Sequence, residues 1–484
     1  MLNKIKSEIK NNCLNILITL VYFLIHLFLL SKHELWRDEA QAYSLVKHSS
    51  LIELFKYLRI EGHPILWFLY IYPFAKMEIP FNYFGFISLL TMAVTVFLFL
   101  QKSPFPKWLT VFVLLSSSFF YYNAAICRVY CLPVLLLVLI CSLYKEKYNK
   151  PILYLFLVSL LFQTHIKMSG MAIGLCIDFL IDAWQKDKSL LKYLVIPLLS
   201  LMFLIAELMP YKGYRPFLVI SNQMESIFVD IIEKINRGFT RIFSSSFGIE
   251  KTEQGVILIL LLLILFGYVF FIVYKEKKIK EYMGLFIVVL CGLGAYYLIT
   301  AFIYGLHRQM SSLLMTMIIS FAWLSEYKSI EKAKMCSKIA LIFLIGITIP
   351  LTLKDAIDDV NMVYSYGEQT AEYIIKNVEE DSVIMLEYDT LDPLIISLVE
   401  PYRKDIVFYD TAHERPHTVH LLNEVYVLDP DYILYIADKV DAEHKYFICR
   451  KDIKDTNFRL IYSNFNYPTL GAEEHFNLYL LIND

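Results

Sequence analysis

Residues 14–31 read LNILITLVYFLIHLFLLS, and residues 36–43 read WRDEAQAY. The first stretch is apolar almost throughout and is long enough to cross the hydrocarbon core of a bilayer as a helix. The second stretch places Arg37, Asp38 and Glu39 at the mouth of that helix. Three consecutive charges at this point predict a membrane-spanning segment with a polar site at its end, because charges near a membrane favour a polar cavity over lipid.

The composition of the whole chain agrees with this interpretation. It has 484 residues, of which 57% are hydrophobic, and its mean hydropathy is +0.52. A soluble domain of this size cannot hide so much apolar surface in one core. We therefore predict a polytopic α-helical membrane protein with about eleven transmembrane helices, near 14–31, 81–100, 108–124, 129–144, 151–165, 168–184, 193–209, 255–274, 283–304, 309–324 and 338–353.

Charge divides the chain into two parts. Residues 1–354 hold 35 Lys and Arg against 21 Asp and Glu, and residues 355–484 hold 10 against 26. The formal net charges are therefore +14 and −16, and the boundary coincides with the end of the last apolar run. We predict a transmembrane domain over 1–354 and a separate domain over 355–484.

Lysines in the connecting segments predict the orientation. Nineteen lysines lie in the alternate segments 1–13, 101–107, 145–150, 185–192, 275–281 and 325–338. Lysine-rich loops stay in the cytoplasm, so the N-terminus is predicted to be cytoplasmic and its basic start, MLNKIKSEIK, to belong to an uncleaved signal anchor. An odd number of spans then places the loops 32–80 and 210–254 and the domain 355–484 outside.

The C-terminal part alternates helical and strand patterns. TAEYIIKNVEED at 370–381 and LDPLIISLVEPY at 391–402 are typical of helices. Strands are predicted in SVIMLEYD, DIVFYD, YILYIAD, FRLIYSNF and FNLYLLIN. This order predicts a small extracytoplasmic α/β domain. Its single cysteine, Cys449, excludes an internal disulfide.

Polar side chains gather at the predicted outer ends of the spans. They are Asp38, Glu39, Glu61, His63, Arg128, His165, Lys167, Glu207, His307 and Arg308. Arginine matches phosphate bidentately, and a carboxylate can act as a general base. Such a cavity at the outer leaflet suits a lipid whose phosphate headgroup lies at the interface. The sequence shows no basic nucleic-acid patch and no glycine-rich phosphate loop, so no nucleic-acid partner is expected.

Five short motifs occur in a characteristic order. They are WRDEAQAY, EGHPILWF at 61–68, SPFP at 103–106, ICRVY at 126–130 and QTHIKMSG at 163–170. This combination resembles bacterial members of the GT-C superfamily of membrane glycosyltransferases, of the glycosyltransferase family 39 and protein O-mannosyltransferase type. The resemblance implies transfer of a sugar from a polyprenyl-phosphate-linked donor to an acceptor hydroxyl, at the outer face of the bacterial plasma membrane. The acceptor would be a cell-envelope glycan, a lipid or a protein.

The resemblance also implies roles for individual residues. Asp38 would be the catalytic carboxylate, and Glu39 and His63 would orient it or the sugar. Candidates to bind the substrate phosphate are Arg128 and Arg308 with His307 in support, and His165 and Lys167 are further substrate-binding candidates. The sequence does not establish a cofactor; some relatives bind a divalent metal, for which Glu61, His63 and Glu207 are the candidate ligands. One departure is Ile65, which follows Pro64 where many relatives have a second proline.

Structural explanations compete with each assignment. The charges at 37–39 could be a solvated flank, and His63–Pro64 could shape a juxtamembrane helix. Arg128, Lys167 and Arg308 could be snorkelling anchors, and Glu207 could pair locally. We expect Asp178 and Asp182, which are four residues apart, to pair with nearby lysines, and His26 to bond to a neighbouring helix.

Two other protein classes compete with a transferase. A flippase for lipid-linked glycans would place ionisable residues deep within several spans and would show inverted repeats. A non-catalytic envelope-assembly protein would depend on its acidic C-terminal part and not on Asp38. A polymerase that extends lipid-linked glycans is a closer alternative, because it uses donors of the same general kind.

Overall fold

The computed structural model describes residues 2–61, 63–209, 227–247, 252–302, 309–387, 392–418, 429–465 and 474–482. The helices up to the first third of the chain are α1 (Leu2–Leu30), α2 (Arg37–His48), α3 (Leu51–Glu61), α4 (Leu66–Lys76), α5 (Gly85–Lys102), α6 (Lys107–Val113), α7 (Tyr122–Ala125), α8 (Cys131–Leu143) and α9 (Pro151–Phe162). They are followed by α10 (Ser169–Lys186), α11 (Val195–Leu208), α12 (Ile227–Phe247), α13 (Thr252–Lys275), α14 (Ile279–Phe302), α15 (Gln309–Ser325) and α16 (Glu331–Asn361).

Several of these helices could cross a membrane. Among the described residues, five stretches are long and apolar enough: Asn12–Leu30, Phe81–Lys102, Lys188–Leu208, Ile279–Phe302 and Glu331–Asn361. Three shorter apolar helices accompany them. The count of eleven spans is not confirmed, because helices such as α9, with 12 residues, extend only about 18 Å against a hydrocarbon core of about 30 Å.

The predicted span 108–124 is not one helix. Helix α6 ends at Val113, and the chain then turns through Ser116–Ser118 to Tyr121, which has a φ of 67°. Serine hydroxyls compete with the helical hydrogen bonds of the backbone, and here the Ser118 hydroxyl lies 2.7 Å from that of Thr316 in α15. Hydrogen-bond partners on neighbouring helices thus satisfy polar groups where this helix is interrupted inside the bundle.

The expectation for His26 is confirmed in the same place. Its Nδ1 lies 2.8 Å from the Tyr22 carbonyl oxygen in its own helix, and its Nε2 accepts the backbone N–H of Tyr121 at 3.2 Å. His26 therefore supports the turn that follows α6 and takes no part in the site described below.

The chain from residue 365 onward forms a six-stranded mixed sheet with order β3-β2-β1-β4-β6-β5. The strands are β1 (Val383–Leu386), β2 (Val407–Asp410), β3 (Arg415–Pro416), β4 (Lys445–Cys449), β5 (Phe458–Ser463) and β6 (Asn477–Leu481). The helices are α17 (Gly367–Asn377), α18 (Asp392–Val399) and α19 (Pro430–Lys439). Strands β1, β2 and β4 are parallel, whereas β5 and β6 form an antiparallel edge.

One predicted strand is wrong: YILYIAD lies in helix α19. Pro430 occupies the first turn, where its missing N–H costs nothing, and the Asp429 carboxylate accepts the backbone N–H of Asp431 at 3.2 Å as an N-cap. The strand at this place in the order is β4, which our sequence analysis did not identify. Its five residues are all buried, so they lack the alternation that marks a half-exposed strand.

The sheet packs onto the bundle. One apolar core includes Phe68 of α4 and Leu45 of α2 together with Ile396 of α18 and Ile448 of β4. At its edge, Lys47 Nζ lies 2.8 Å from Glu400 Oε2. The predicted outer loop 32–80 thus contains helices α2, α3 and α4, and α2 packs against α4 and against α18 of the C-terminal part.

Candidate functional site

The motif WRDEAQAY forms the start of helix α2. Glu39 is the third helical residue, and its Oε2 accepts the backbone N–H of Trp36 at 2.9 Å. This is the glutamate half of a capping box, and two acidic residues in the first turn also suit the positive end of the helix dipole. Asp38 and Glu39 therefore stabilise the start of helix α2, in addition to any chemical role.

Glu39 is buried, and its position is that of a structural residue. Its Oε1 accepts the backbone N–H of Cys127 at 2.5 Å, and its Oε2 lies 3.1 Å from His33 Nε2. The other ring nitrogen of His33 lies 3.0 Å from Asp359 Oδ2 at the end of α16. Both oxygens of Glu39 are thus engaged by groups of the protein, and the orienting role that the resemblance implied for Glu39 stays a prediction.

His33 sits between two carboxylates and is positively charged. Burial by itself would lower its pKa, but the charges and hydrogen bonds of Glu39 and Asp359 outweigh burial and raise the pKa to about 10. A protonated imidazole donates from both nitrogens, which matches the two carboxylate partners. His33 therefore ties the start of α2 to the end of α16.

Asp38, the residue before Glu39, has different partners and pairs with two arginine side chains. Arg128 Nη1 donates to Asp38 Oδ2, and Arg37 Nε lies 3.5 Å from Oδ1. Burial opposes ionisation of Asp38, but the two guanidinium charges outweigh burial and hold its pKa below its usual value. Asp38 is therefore an ionised carboxylate, and its side chain is still 28% exposed.

Asp38 and Arg128 border a small cavity of about 70 Å³. Its other lining residues include Gln41, Glu61, His63, Trp67, Phe68 and Tyr130. Glu61 accepts a hydrogen bond of 3.1 Å from Gln41 Nε2. Burial, followed by the charge of Arg128, lowers the pKa of His63 to about 4, so its imidazole is neutral at pH 7. The cavity thus combines an anionic base, a guanidinium and a neutral imidazole.

The motif QTHIKMSG lies next to this cavity. The ring centroid of His165 is 6.5 Å from that of His63 and 5.8 Å from that of Tyr130. His165 Nδ1 accepts the backbone N–H of Lys167 at 3.1 Å, in a short 3-10 helix over Ile166–Met168. The Lys167 side chain is buried. Burial, and then the charge of Arg241 in α12, lowers its pKa to about 7. The positive charge of Arg241 therefore acts on the Lys167 amine.

Lys167 connects the polar cavity to an apolar groove. Its Nζ lies 5.2 Å from the centroid of the Tyr296 ring, and Tyr296 is part of the groove wall. The groove has a volume of about 560 Å³, and its wall is formed by residues of helices α12 to α16. Representative lining residues are Phe239, Phe247, Phe266, Leu285, Tyr296 and Leu314. A continuous row of side chains thus runs from Asp38 to an apolar groove.

The structure brings some of the predicted site residues together and separates others. Asp38, Glu61, His63 and Arg128 share the cavity, and His165 and Lys167 lie beside it. Glu207 is buried in α11 and does not line the cavity. His307 and Arg308 lie outside the described residues, so their predicted role stays a prediction.

The candidate metal ligands do not form a metal site. Within the described part of the chain, no three His, Cys, Asp or Glu side chains are grouped to hold a metal ion, and this includes Glu61, His63 and Glu207. Glu61 accepts a hydrogen bond from Gln41, and Glu207 does not line the cavity. The residues present therefore do not fit a divalent metal, and no chemical step is assigned to one.

Sequence patterns did not single out His33, Tyr130, Asp359 or Glu474. His33 and Tyr130 stand within or beside the quoted motifs, so their proximity to Asp38 and Arg128 was a usable signal. Asp359 and Glu474 lie more than 300 residues from Asp38, and nothing in their local sequence indicates where they fold.

Comparison with known proteins adds no identification. No protein-family model matches the chain, and no curated protein matches it at a significant level.

Proposed function

We propose that this protein is a membrane glycosyltransferase that moves a sugar from a polyprenyl-phosphate-linked donor to an acceptor hydroxyl. The observation that carries the proposal is the row of side chains from the Asp38–Arg128 pair through His165 and Lys167 to the apolar groove. A lipid-phosphate sugar has the same order of parts, namely a polar sugar, a charged phosphate and an apolar tail.

In the proposed reaction, Asp38 takes the proton of the acceptor hydroxyl as that oxygen attacks the anomeric carbon of the donor. The bond between the anomeric carbon and the phosphate oxygen breaks, and polyprenyl phosphate leaves with the bonding electrons. Phosphate is already a good leaving group, so the site needs positioning and charge stabilisation more than a strong general acid. The sugar becomes linked to the acceptor oxygen, the proton is on Asp38, and polyprenyl phosphate is released.

The cationic residues have separate roles in this proposal. Arg128 keeps Asp38 ionised and lies beside the departing phosphate, where its planar guanidinium suits bidentate binding. Lys167 lies beside Tyr296 of the groove wall, and a bound phosphate would favour the protonated form of its amine. Neutral His63 offers a hydrogen bond to the sugar without adding charge. The site then faces the extracytoplasmic side, at the outer leaflet of a bacterial plasma membrane.

The test is a donor-consumption assay with the full chain in lipid. A panel of polyprenyl-phosphate sugars is supplied with membrane extract as acceptor, and wild type is compared with Asp38→Asn. The matched control is Asp182→Asn, which changes a partly exposed carboxylate far from Asp38. We expect one donor to be consumed by wild type and by the control but not by Asp38→Asn.

Two results would reject the proposal. If wild type consumes no donor, while loss of Asp38 leaves the envelope glycans unchanged, the non-catalytic assembly protein becomes the better interpretation. If labelled lipid-linked glycan crosses the bilayer of proteoliposomes without any change in its glycosidic bonds, the protein is a flippase. A product that carries many added units would instead identify a polymerase.

A further inference from the structure

A separate cavity lies in the C-terminal part of the chain, at the carboxyl ends of two parallel strands. Glu387, the residue after β1, and Cys449, the last residue of β4, both line it, together with Asp429 and Asp431 at the start of α19. The volume of this sheet-edge cavity is about 340 Å³. Sites for small molecules have volumes of about 300–1,000 Å³, so the cavity is large enough for an organic ligand.

The course of the chain explains why a cavity forms at this place. Strand β1 lies between β2 and β4 and is parallel to both. From β1 the chain runs through α18 to β2 on one side, and later it runs through α19 into β4 on the other side. The two connections diverge and leave a crevice outside the carboxyl ends of β1 and β4. Open α/β sheets bind their ligands in crevices of this kind.

The sheet-edge cavity lies on the face of the sheet that carries α19. Ile448 of β4 belongs to the apolar core that includes α18 and the bundle, whereas its neighbour Phe447 packs with Ile433 of α19. Phe447 and Ile433 form the buried, apolar part of the lining. The charged part is open to solvent, because the Lys451 side chain is 55% exposed. A ligand can therefore enter the cavity from solvent.

The charged part of the lining is mostly acidic. Its carboxylates belong to Glu387, Asp429, Asp431, Asp452 and Asp455, and its ammonium groups belong to Lys451 and Lys454. Lys451 Nζ lies 3.0 Å from Glu387 Oε1, and this is the one ion pair of the lining among the described residues. Four carboxylates and a single ammonium group remain. The cavity therefore favours a positively charged ligand.

Local contacts account for only some of these carboxylates. Asp429 caps α19, and Asp455 Oδ1 accepts a backbone N–H at 2.8 Å. Asp452 Oδ1 has a longer contact of 3.3 Å with the Tyr479 hydroxyl. The Asp431 carboxylate is exposed and has no hydrogen-bond or ion-pair partner within the described ranges. Asp431 and Asp452 are thus the carboxylates most available to a ligand.

A single metal ion does not suit this arrangement. In the part of the chain that the structure describes, no three His, Cys, Asp or Glu side chains are grouped to hold a metal ion. Asp431 and Asp452 belong to two separate segments, the start of α19 and the loop after β4, and they share the lining with Ile433 and Phe447. A ligand that pairs with both carboxylates needs two positive charges with a less polar body between them.

We propose that the sheet-edge cavity binds an organic polycation, a molecule that carries two or more ammonium groups on a carbon skeleton. Asp431 binds one ammonium group and Asp452 binds another, while the skeleton packs against Phe447 and Ile433. Aliphatic polyamines and short oligomers of amino sugars share this chemistry. The inference is independent of the reaction proposed at Asp38, because none of the residues that line this cavity lines the other.

The test is isothermal titration calorimetry of the full chain in phosphatidylcholine nanodiscs, whose lipid has no net charge and does not attract the probes. The probes are spermidine and the disaccharide of glucosamine, and their fully N-acetylated forms are the neutral comparisons. The main variant is Asp431→Asn with Asp452→Asn. Its matched control is Asp438→Asn with Asp441→Asn, which removes two exposed carboxylates at the other end of α19.

We expect wild type and the control to bind at least one probe with the same affinity within twofold. The variant Asp431→Asn with Asp452→Asn should bind it on the order of tenfold more weakly, because it loses two partly exposed ion pairs with the ligand. Lys454→Gln removes the remaining ammonium group of the lining and should strengthen binding. Tighter binding of spermidine would identify an aliphatic polyamine, and tighter binding of the disaccharide an amino-sugar oligomer.

Several results would overturn the proposal. They are the absence of binding of both probes to wild type, equal binding of the N-acetylated forms, and an equal loss of affinity in the main variant and its control. Unchanged affinity in the main variant would overturn it as well. Thermal unfolding without probe checks that each variant is folded. If the main variant does not fold, the neutral probes and Lys454→Gln decide, and weaker binding to Lys454→Gln rejects the site.

Discussion

Two buried clusters of charge lie at opposite ends of helix α8. Asp38, Arg128 and His63 are next to its first residue, whereas Lys147 lies just beyond its last and pairs with Asp178 and Asp182. Lys147 and Asp178 are almost sealed, at 2% and 1% exposure. The Asp38 side chain is far more exposed and borders a cavity.

The difference between them shows how a structural charge cluster can be told from a functional one. In the Lys147 cluster, the Tyr144 hydroxyl also donates to Asp178 at 3.1 Å, and the ammonium group lies 4.0 Å from the Tyr144 ring centroid. The charged and polar groups of this cluster are therefore partners of one another. At Asp38 the same kinds of groups leave room for a ligand. The expectation that Asp178 and Asp182 pair with a nearby lysine is confirmed.

The largest expected effect is on catalysis at the open cluster. Asp38→Asn removes the proton acceptor but keeps the shape, so we expect kcat to fall on the order of 10³-fold. The melting temperature in detergent should fall less than that of Asp178→Asn, because the Asp38 side chain is 28% exposed whereas Asp178 is almost sealed. Transfer assays and thermal unfolding of the same preparations check both parts. If Asp38→Asn instead melted at a much lower temperature and lost activity only in proportion to the unfolded fraction, the functional role of the Asp38 cluster would be contradicted.

The next effect is on stability at the sealed cluster. Asp178→Asn leaves Lys147 charged and buried with a weakened partnership, and breaking a buried pair in this way costs about 3–5 kcal/mol. The free energy of unfolding should fall by that amount, while kcat per folded molecule stays near that of wild type. Asp182→Asn is the control, since this carboxylate is partly exposed and should cost much less. Equal losses for the two variants would show that burial does not decide the effect.

A smaller steric change tests the same cluster without altering any charge. A Cβ atom at Gly284 in α14 would collide with the Asp178 carboxylate. We expect Gly284→Ala to lower the free energy of unfolding by about 1–3 kcal/mol, the usual cost of overpacking. The control is Gly294→Ala in the same helix, where a Cβ would meet nothing within 4 Å. Thermal unfolding of the two variants side by side is the measurement.

The smallest effect is the pH dependence of the His33 bridge. The pKa of His33 is raised to about 10 in the folded protein, against about 6.5 for an unfolded chain. Its stabilising contribution is therefore full below pH 6.5, declines as the pH rises above that value and is lost near pH 10. Deprotonation replaces one charged hydrogen bond by a neutral one, so the free energy of unfolding falls across this pH range. Stability of wild type and His33→Gln, measured from pH 6 to pH 10, should converge at the alkaline end; a constant difference would contradict this.

Local patterns predicted most of the helices and strands, and they failed where two signals compete. The pattern YILYIAD has strand-like residues, but Asp429 and Pro430 before it start a helix. The apolar run 108–124 looks continuous, but its three serines and the contact between Ser118 and Thr316 break it. In both cases a capping or tertiary hydrogen bond outweighs the preference of the apolar residues.

The sequence by itself determined that this is a largely helical chain with apolar segments, that Asp38 follows the first of them, and that Asp178 and Asp182 share a helix face. These features depend on residues close together in the chain, whose spacing sets where they point. Only the tertiary structure decided that Glu39 accepts from Cys127 and does not line the cavity, that His33 meets Asp359, and that Glu474 lies near Asp38. Those contacts join residues up to several hundred positions apart, and packing between distant elements, such as α18 on α2, brings them together.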